Sequence, residues 1–313
     1  MRTYVVVGGA GFLGSHMCDL LIARGDAVVC VDNLITGARW NIEQLAGHER
    51  FSFIATDVSQ SLEVEEPIDA VKNLASPASL KDYFRWPIET LDVAGLGTRN
   101  CIELALHNDA HMFMASTSAV YGDPKVHPQT EDYWGNVNPI GVRSVYDEAK
   151  RFSEALVMAF VREHGLKGPS ARIFNTYGPR MAPDDGRVVS NFVVQVLRGE
   201  PITVYGDGSQ TRSFCYVADA GDGLLRLDDS QVAGPINIGN PNEFTISERA
   251  DHVLAITESA SSLVFEPLPS DDPLQRQPDI TRARTELGWE PTVQLAEGLA
   301  HTIDYFRSIG IGS

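Results

Sequence analysis

The sequence predicts an α/β protein with a doubly wound, Rossmann-type parallel sheet and a smaller C-terminal substrate-binding lobe. Three observations lead to this prediction. Short apolar segments alternate with amphipathic segments through the first half of the chain, a glycine-rich turn follows the first apolar segment, and the composition changes after about residue 176. Strands that alternate with helices form parallel sheets, whose carboxyl ends lie on one side and bind ligands there.

The elements of the first half can be assigned in order along the chain. The predicted strands are Tyr4–Val7, Ala27–Val31, Phe51–Ala55, Ala70–Leu74, His111–Ser116 and Ser170–Phe174. The predicted helices are Gly14–Arg24, about Thr90–His107 and Val145–His164. The last of these helices has an apolar face that includes Phe152, Leu156 and Phe160.

Composition argues against several classes of function. The formal net charge of −17 argues against a nucleic-acid partner, and an anionic substrate would need its own local cluster of arginines. No run of 18 apolar residues is present, which argues against a membrane-spanning helix. The scattered Cys18, Cys30, Cys101 and Cys215 are typical of reduced core residues in a cytoplasmic protein. No cluster has metal-ligand spacing, so no metal is predicted.

A glycine-rich turn and an acidic residue predict a dinucleotide site. Gly8, Gly11 and Gly14 lie between the first predicted strand and the first predicted helix. Glycine lets the backbone approach a pyrophosphate, and the helix N-terminus offers N–H groups. Asp32 ends the second strand, where a carboxylate accepts hydrogen bonds from the adenosine ribose and repels the 2′-phosphate of NADP. The predicted cofactor is therefore NAD, although Asp32 alone would also suit a turn.

A tyrosine and a lysine one helical turn apart predict the catalytic pair. Tyr146 and Lys150 share a face of a predicted helix. A nearby ammonium and the positive nicotinamide ring favour the phenolate, so Tyr146 can take a hydroxyl proton while a hydride leaves the carbon. Thr117 and Ser118 follow a strand and place hydroxyls at the same edge of the sheet. The alternative is that Tyr146 and Lys150 only lie on a solvated helix face and that the two hydroxyl residues only cap the end of a strand.

The domain organisation follows from the change in composition. After about residue 176, Pro, Gly and Asp become frequent, as in Gly178–Arg180 and Ala182–Gly186. We expect residues 1–175 to form the NAD-binding Rossmann domain and residues 176–313 to form the substrate-binding lobe. A segment of about 213–240 is expected to return to the first domain.

Longer segments with specific residue patterns extend over most of the chain. They are Leu74–Ser79, Ala115–Ser118, Val120–Pro124, Asn138–Gly141, Tyr146–Glu148, Lys150–Arg151, Arg172–Thr176, Asp185–Phe192, Val204–Gly206, Gly208–Arg212, Asp271–Pro273, Arg276, Pro278–Ile280 and Leu287–Trp289. Together they resemble the extended short-chain dehydrogenase/reductase family of nucleotide-sugar enzymes, and within it the UDP-glucuronate decarboxylases (UDP-xylose synthases). The resemblance implies bound NAD, a UDP-sugar substrate and a homodimer in which helices Thr90–His107 and Val145–His164 pair into a four-helix interface.

The resemblance also implies roles for individual residues. The implied catalytic residues are Tyr146, Lys150, Thr117 and Ser118. The implied cofactor-binding residues are Gly8, Gly11, Phe12, Leu13, Gly14, Asp32, Asn33, Asp57, Val58, Leu74, Ala75, Ser76, Tyr146 and Lys150. The implied substrate-binding residues are Ser79, Thr117, Asn175, Val189, Tyr205, Arg212 and Arg276. Tyr205 is placed at the uracil, and arginine suits phosphate oxygens, although Arg212 and Arg276 beside turn residues could also be ordinary surface charges.

Two positions depart from the family pattern. The decarboxylases carry Glu where this chain has Ala119, and Asn near the position of Ala94. That Glu is implicated in proton handling around decarboxylation, which a methyl group cannot replace. The first hypothesis is therefore C4 epimerisation of UDP-glucuronic acid to UDP-galacturonic acid through a 4-keto intermediate, with Ala119 leaving space for the keto sugar to rotate.

Three alternatives remain from the sequence. Decarboxylation of UDP-glucuronic acid to UDP-xylose is the second hypothesis, because every other long segment points to that subgroup, and Ala119 is then a neutral change. Another UDP- or dTDP-sugar epimerase or dehydratase ranks below it. A non-catalytic NAD-binding regulator belongs to a different class, and the intact set of Tyr146, Lys150 and Thr117 argues against it.

Overall fold

The computed structural model describes residues 1–230, 232–268 and 275–312. The segment Asp271–Pro273, which contributes to the family resemblance, lies outside the described residues. The strands are β1 (Thr3–Val7), β2 (Ala27–Asp32), β3 (Phe51–Ala55), β4 (Ala70–Asn73), β5 (His111–Thr117), β6 (Ser170–Ile173), β7 (Thr176–Tyr177), β8 (Ile202–Tyr205), β9 (Thr211–Ser213), β10 (Cys215–Tyr216), β11 (Pro235–Ile238), β12 (Glu243–Thr245), β13 (Leu263–Glu266) and β14 (Gln275–Arg276). The α-helices are α1 (Phe12–Arg24), α2 (Leu80–Arg85), α3 (Pro87–Asp92), α4 (Thr98–His107), α5 (Ser144–His164), α6 (Val188–Leu197), α7 (Val217–Asp228), α8 (Ile246–Thr257), α9 (Thr281–Leu287) and α10 (Leu295–Ser308).

Seven strands form one parallel sheet in the order β11-β6-β5-β4-β1-β2-β3. The winding of the chain reverses at β1, which pairs with β2 on one side and with β4 on the other. A crevice forms at the carboxyl ends of strands where the winding reverses, and ligands bind there in open α/β sheets. The structure confirms the doubly wound parallel sheet predicted from the sequence.

Alternation along the strands explains how the sheet is buried on both faces. In β1, Tyr4 and Val6 belong to one apolar core, whereas Val5 and Val7 belong to the core on the opposite face. Helices α1 and α7 contribute to the first core, and α4 and α5 contribute to the second. Successive side chains of a strand point to opposite faces, so a strand buried on both sides reads as a continuous apolar run.

The helix expected over Thr90–His107 is interrupted. Helix α3 ends at Asp92, a π-helical segment spans Val93–Gly97, and α4 follows. A Cβ atom on Gly97 would lie 3.0 Å from Cγ1 of Val58, so the glycine lets this segment pack closely on a cavity wall. Segments of this kind are frequent at functional sites, and this one brings Val93 to the larger cavity described below.

The C-terminal part of the chain forms a third apolar core around α6, α8 and α10, with small sheets formed by β8 with β13 and by β12, β9 and β14. Along the chain, α7 and β11 come between elements of this lobe. Helix α7 packs on α1, and β11 extends the large sheet beside β6. The segment of about 213–240 thus contributes elements to the large sheet and its helical layer. Within the described residues, no helix is long and apolar enough to cross a membrane.

Candidate active site

A cavity of about 550 Å³ opens along the carboxyl edge of the large sheet. Its walls bring together all the predicted cofactor-binding residues outside α5, namely Gly8, Gly11, Phe12, Leu13, Gly14, Asp32, Asn33, Asp57, Val58, Leu74, Ala75 and Ser76. The same cavity includes Ser79, which the sequence analysis placed at the substrate. The volume suits a dinucleotide lying across the point where the winding reverses.

The glycine turn fits a pyrophosphate. Gly8 has a φ of +78°, and a Cβ atom there would lie 2.7 Å from the Cα of Ala75. A Cβ atom on Gly14 would lie 2.0 Å from the carbonyl oxygen of Gly8, so α1 could not begin so close to β1 with any other residue. In the described structure, the first turn of α1 has no acidic residue and no side-chain cap at Gly11. Its N–H groups and dipole can therefore act on an anion.

Asp32 is fixed at the end of β2 by the backbone around it. Its carboxylate accepts hydrogen bonds from the N–H of Ala10 at 3.0 Å and of Leu34 at 2.8 Å. Burial raises the pKa of this carboxyl, and these backbone bonds act in the opposite direction. Arg39, the cation of the following loop, stacks 4.5 Å from the ring centroid of Phe53. The carboxylate is therefore fixed at the cavity wall, and its contact with the ribose stays a prediction, while the arginine of this loop is engaged by an aromatic ring.

Replacing Asp32 with Ser is expected to weaken NAD binding by about tenfold. The two hydroxyl groups of the adenosine ribose would no longer donate hydrogen bonds to an ionised carboxylate. The parent protein is expected to bind NAD far better than NADP, and the variant is expected to narrow that difference. Titration of both nucleotides into parent and variant measures this. Asp109→Ser, at an exposed acidic residue paired with Lys167, is the matched control. Equal affinity of the parent for NAD and NADP would remove the ribose role from Asp32.

The structure brings Tyr146, in the first turn of α5, next to Thr117 at the end of β5, and their hydroxyl groups are hydrogen-bonded. Burial raises the pKa of Tyr146, whereas the bond to Thr117 and the charges of Arg187 and Arg276 lower it. The ring of Tyr146 also stacks on Tyr83 with centroids 5.2 Å apart. A buried phenol with a hydroxyl partner and nearby cations is suited to exchange a proton with a substrate.

Lys150 lies one turn further along α5 and is buried. Its ammonium donates a hydrogen bond to the carbonyl oxygen of Ala115 at 3.1 Å, and burial lowers its pKa to about 8. This places Lys150 on the inner side of Tyr146, against β5. Its predicted contact with the nicotinamide ribose stays a prediction.

Ser118 and Ser79, the other two residues predicted to bring hydroxyl groups to the site, have different surroundings. Ser118 is buried at the start of the short 3₁₀ turn Ser118–Tyr121. Ser79 is also buried, and it caps α2 by accepting a bond from the N–H of Asp82 and donating one to the Asp82 carboxylate at 2.7 Å. The hydroxyl of Ser79 thus has a structural partner at the cofactor cavity, and its substrate role stays a prediction.

A second cavity lies between the sheet and the C-terminal lobe and contains Asn175, Val189, Tyr205, Arg212 and Arg276 in its wall. These are the predicted substrate-binding residues other than Ser79 and Thr117. Arg143 and Arg187 line it as well, so four arginines surround this cavity in a chain of net charge −17. This is the local cluster of cations that an anionic substrate requires.

Arg187 lies at the site and Tyr83 lies beside it, and neither was assigned a role from the sequence. Arg187 lines both cavities and is paired with Asp185, to which it donates a bond of 2.6 Å. The hydroxyl of Tyr83 is buried without a hydrogen-bond partner among the described residues, beside Tyr146. In the described structure Tyr83 lines neither cavity, and its ring packs behind Tyr146. Arg187 could have been found within the segment Asp185–Phe192, whereas Tyr83 had no signal in the sequence.

The structure does not leave the space that was expected at Ala119. This residue is 1% exposed and packs with Tyr83 and Tyr146. Its N–H also donates to the hydroxyl oxygen of Thr117 at 3.2 Å. Because neighbouring rings occupy the volume beside the methyl group, Ala119 provides no empty room for a rotating sugar.

Ala94, the other departure from the family pattern, is buried in the π-helical segment, and its carbonyl oxygen accepts a bond from Ser153 at 2.8 Å. This bond ties the segment to α5, one turn beyond Lys150. The described residues contain no group of three His, Cys, Asp or Glu side chains placed to hold a metal ion.

Comparison with known sequences agrees with this geometry. The sequence model of the NAD dependent epimerase/dehydratase family matches residues 4–239. UDP-glucuronic acid decarboxylase 1 of Danio rerio is 50% identical over 305 residues, covering 97% of this chain and 72% of the relative. UDP-glucuronic acid decarboxylase 6 of Arabidopsis thaliana is 51% identical over 304 residues, covering 97% of this chain and 88% of the relative.

Solved structures that resemble this fold include UDP-sugar epimerases. UDP-glucose 4-epimerase of Thermotoga maritima, solved with UDP-glucose, superimposes with a TM-score of 0.89 at 30% identity over 98% of this chain and 99% of that one. A mutant of UDP-glucuronic acid 4-epimerase of Bacillus cereus was solved with NAD and UDP-4-deoxy-4-fluoro-glucuronic acid. It superimposes with a TM-score of 0.86 at 28% identity, over 98% of this chain and 99% of that one. Because the family model matches residues 4–239, which is more than half of the sequence, this chain belongs to the NAD dependent epimerase/dehydratase family.

Proposed function

We propose that this protein is a UDP-glucuronic acid decarboxylase that forms UDP-xylose through a 4-keto intermediate. The observation that carries the proposal is the 50% identity over 97% of the chain with a UDP-glucuronic acid decarboxylase. The site supports it, because a cavity lined by four arginines meets the cofactor cavity at Arg187, which also acts electrostatically on Tyr146. A sugar nucleotide with a diphosphate and a carboxylate suits that charge.

Residues of this chain bind the substrate and move the C4 hydroxyl proton in the proposed reaction. Arginines of the second cavity hold the diphosphate and orient the sugar. Tyr146, hydrogen-bonded to Thr117, takes the proton of the C4 hydroxyl as that carbon is oxidised. The product is a β-keto acid, whose carboxylate leaves as CO₂ and gives an enolate that takes a proton from water at C5. C4 is then reduced again, and Tyr146 returns its proton to the C4 oxygen. NAD, when bound, supplies the hydride acceptance and return, and it is regenerated within the cycle.

C4 epimerisation to UDP-galacturonic acid, the first hypothesis of the sequence analysis, is the second candidate. Ala119 favours it, because the chain lacks the acidic group that the resembled decarboxylases carry there. The comparisons favour decarboxylation, since the relatives at about 50% identity are decarboxylases, whereas the UDP-glucuronic acid 4-epimerase is 28% identical.

Incubation with UDP-glucuronic acid, followed by CO₂ measurement and product analysis, tests the proposal. The expected result is one CO₂ and one UDP-xylose for each substrate consumed. UDP-galacturonic acid without CO₂ would overturn the proposal in favour of the epimerase. Bound NAD with no turnover of any UDP-sugar would instead favour a non-catalytic regulator.

We further propose that the protein works as a homodimer in the cytoplasm. Helix α3 packs beside α5, and this surface exposes Ile88, Leu91, Leu96 and Phe152. An apolar surface of this kind suits the pairing of two helices with the same two helices of a second copy. All four cysteines are free and buried, which suits a reducing compartment.

The expected mass in solution at micromolar concentration is that of a dimer. Ile88→Lys, at a position that is 63% exposed in the single chain, is expected to shift the population toward monomer because it places a charge in the apolar surface. Light scattering coupled to size exclusion measures both species, and Val264→Lys, an exposed apolar position in β13 of the C-terminal lobe, is the matched control. A strictly monomeric parent would contradict the dimer.

A further inference from the structure

The C-terminal lobe contains a buried arginine that no motif predicts. Arg249, in α8, is 0% exposed, and the neighbouring buried positions of that helix are Ile246, Ala250 and Val253. None of its three guanidinium nitrogens has a hydrogen-bond partner among the described residues. Burial lowers its pKa to about 9, with Tyr177 and Glu248 acting in the opposite direction. A buried cation without hydrogen bonds destabilises a fold.

The guanidinium lies directly behind the wall of the substrate cavity. Its central carbon is 3.7 Å from the ring centroid of Phe214 and 5.3 Å from that of Phe244. Phe214, Tyr177 and Ile246 all line the cavity that holds Arg212 and Arg276. Stacking on Phe214 offsets part of the desolvation and holds the charge one aromatic ring away from the cavity.

A purely structural role does not explain an arginine at this position. An apolar side chain would fill the same space among Ile246, Ala250 and Val253 without desolvating a charge. Residues that break the local pattern and lower stability are expected at functional sites. The medium around Arg249 is apolar, so its charge acts over a longer distance than it would in water.

We propose that Arg249 is a positioning residue whose positive charge, acting through the Phe214 ring, strengthens binding of the diphosphate of the substrate, and that it is retained at a cost in stability. This inference rests on the proposed UDP-sugar substrate. Helix α8 then contributes electrostatically to diphosphate binding, in addition to the arginines that line the cavity.

Calorimetric titration of uridine, UMP and UDP into the NAD-loaded parent and into Arg249→Met and Arg249→Lys tests the proposal. For Arg249→Met we expect UDP to bind about tenfold more weakly, uridine to bind within about twofold of the parent, and the ligand-free protein to melt at a higher temperature. Arg249→Lys keeps the charge and is expected to remain closer to the parent for UDP. Arg307→Met, on the exposed face of α10, removes the same charge from the lobe surface and is the control.

Unchanged UDP affinity in Arg249→Met would overturn the proposal. Equal losses for uridine and UDP would also overturn it, because they would show that Arg249 only supports the packing of Phe214. Arg249→Gln is a second neutral variant. If both Arg249→Met and Arg249→Gln melted at a lower temperature than the parent, Arg249 would not lower the stability of the fold, which contradicts the proposal. A parent that binds UDP no better than uridine would instead contradict the anion-binding cavity on which the proposed function depends, before any variant is compared.

Discussion

Replacing Tyr146 with Phe is expected to lower turnover by about 10²-fold or more while NAD binding remains within about twofold of the parent. The hydroxyl is the group that the proposed reaction needs, and it lies against Thr117 with Arg187 and Arg276 acting on its charge. The ring itself is held by its stack on Tyr83, so phenylalanine preserves the packing. Single-turnover kinetics with UDP-glucuronic acid, together with an NAD titration, measures both quantities.

Tyr133→Phe is the matched control, because its hydroxyl accepts a bond from the backbone of Lys125 in an exposed loop. That variant is expected to turn over at the rate of the parent. If Tyr146→Phe retained most of the parent activity, Tyr146 would not be the base, and Thr117 or Tyr83 would have to be tested in its place.

Burial of Tyr146 also gives the direction of the pH dependence. A general base is active when it is deprotonated, and burial raises the pKa of this phenol. The rate of the proton-transfer step should therefore increase with pH until the phenolate predominates. Replacing Arg187 with Met removes a charge that lowers this pKa, so the rise should move to higher pH.

Of the seven strands that the described residues place in the large sheet, six were predicted from their apolar runs, and β11 was not. Phe51–Ala55 has the bounds predicted from its apolar run, and His111–Thr117 differs by one residue at its end. The short strands of the C-terminal lobe were not predicted, since their pairing is not local. Thr211 of β9, for example, pairs with Thr245 and with Gln275. Such strands are set by tertiary contacts rather than by their own periodicity.

The site was predictable where its chemistry is local in sequence. The glycine turn and the spacing of Tyr146 and Lys150 are signals within one element, and Asp32 follows at the end of the next strand. Arg187 and Tyr83 come to the site only when the loop before α6 and helix α2 fold over the sheet edge. Arg187 does not differ from an ordinary surface arginine until the two cavities exist, and Tyr83 does not differ from an ordinary core tyrosine until its ring packs on Tyr146.

Replacing Ala119 with Glu is expected to raise the rate of CO₂ release by about tenfold or more. The resembled decarboxylases carry Glu at this position, and this chain places Ala119 beside both Tyr83 and Tyr146. A carboxyl group there would adjoin a ring that already experiences Arg276 and Arg187, so it could act as a proton relay beside the keto sugar. Ala119→Gln has nearly the same shape without the acid, so it shows the effect of size alone, and it is expected to release CO₂ more slowly than Ala119→Glu.

The same substitution has a structural consequence that must be measured beside the rate. Ala119 is buried in a packed cluster, so the larger side chain has to displace Leu80 or Val145, and both variants should melt below the parent. A folded Ala119→Glu variant with no gain over Ala119→Gln would show that other groups already supply the proton, as expected if Ala119 is a neutral change in a decarboxylase. If the parent instead formed UDP-galacturonic acid and only Ala119→Glu released CO₂, the residue at this position would decide between epimerisation and decarboxylation, and the parent would be the epimerase.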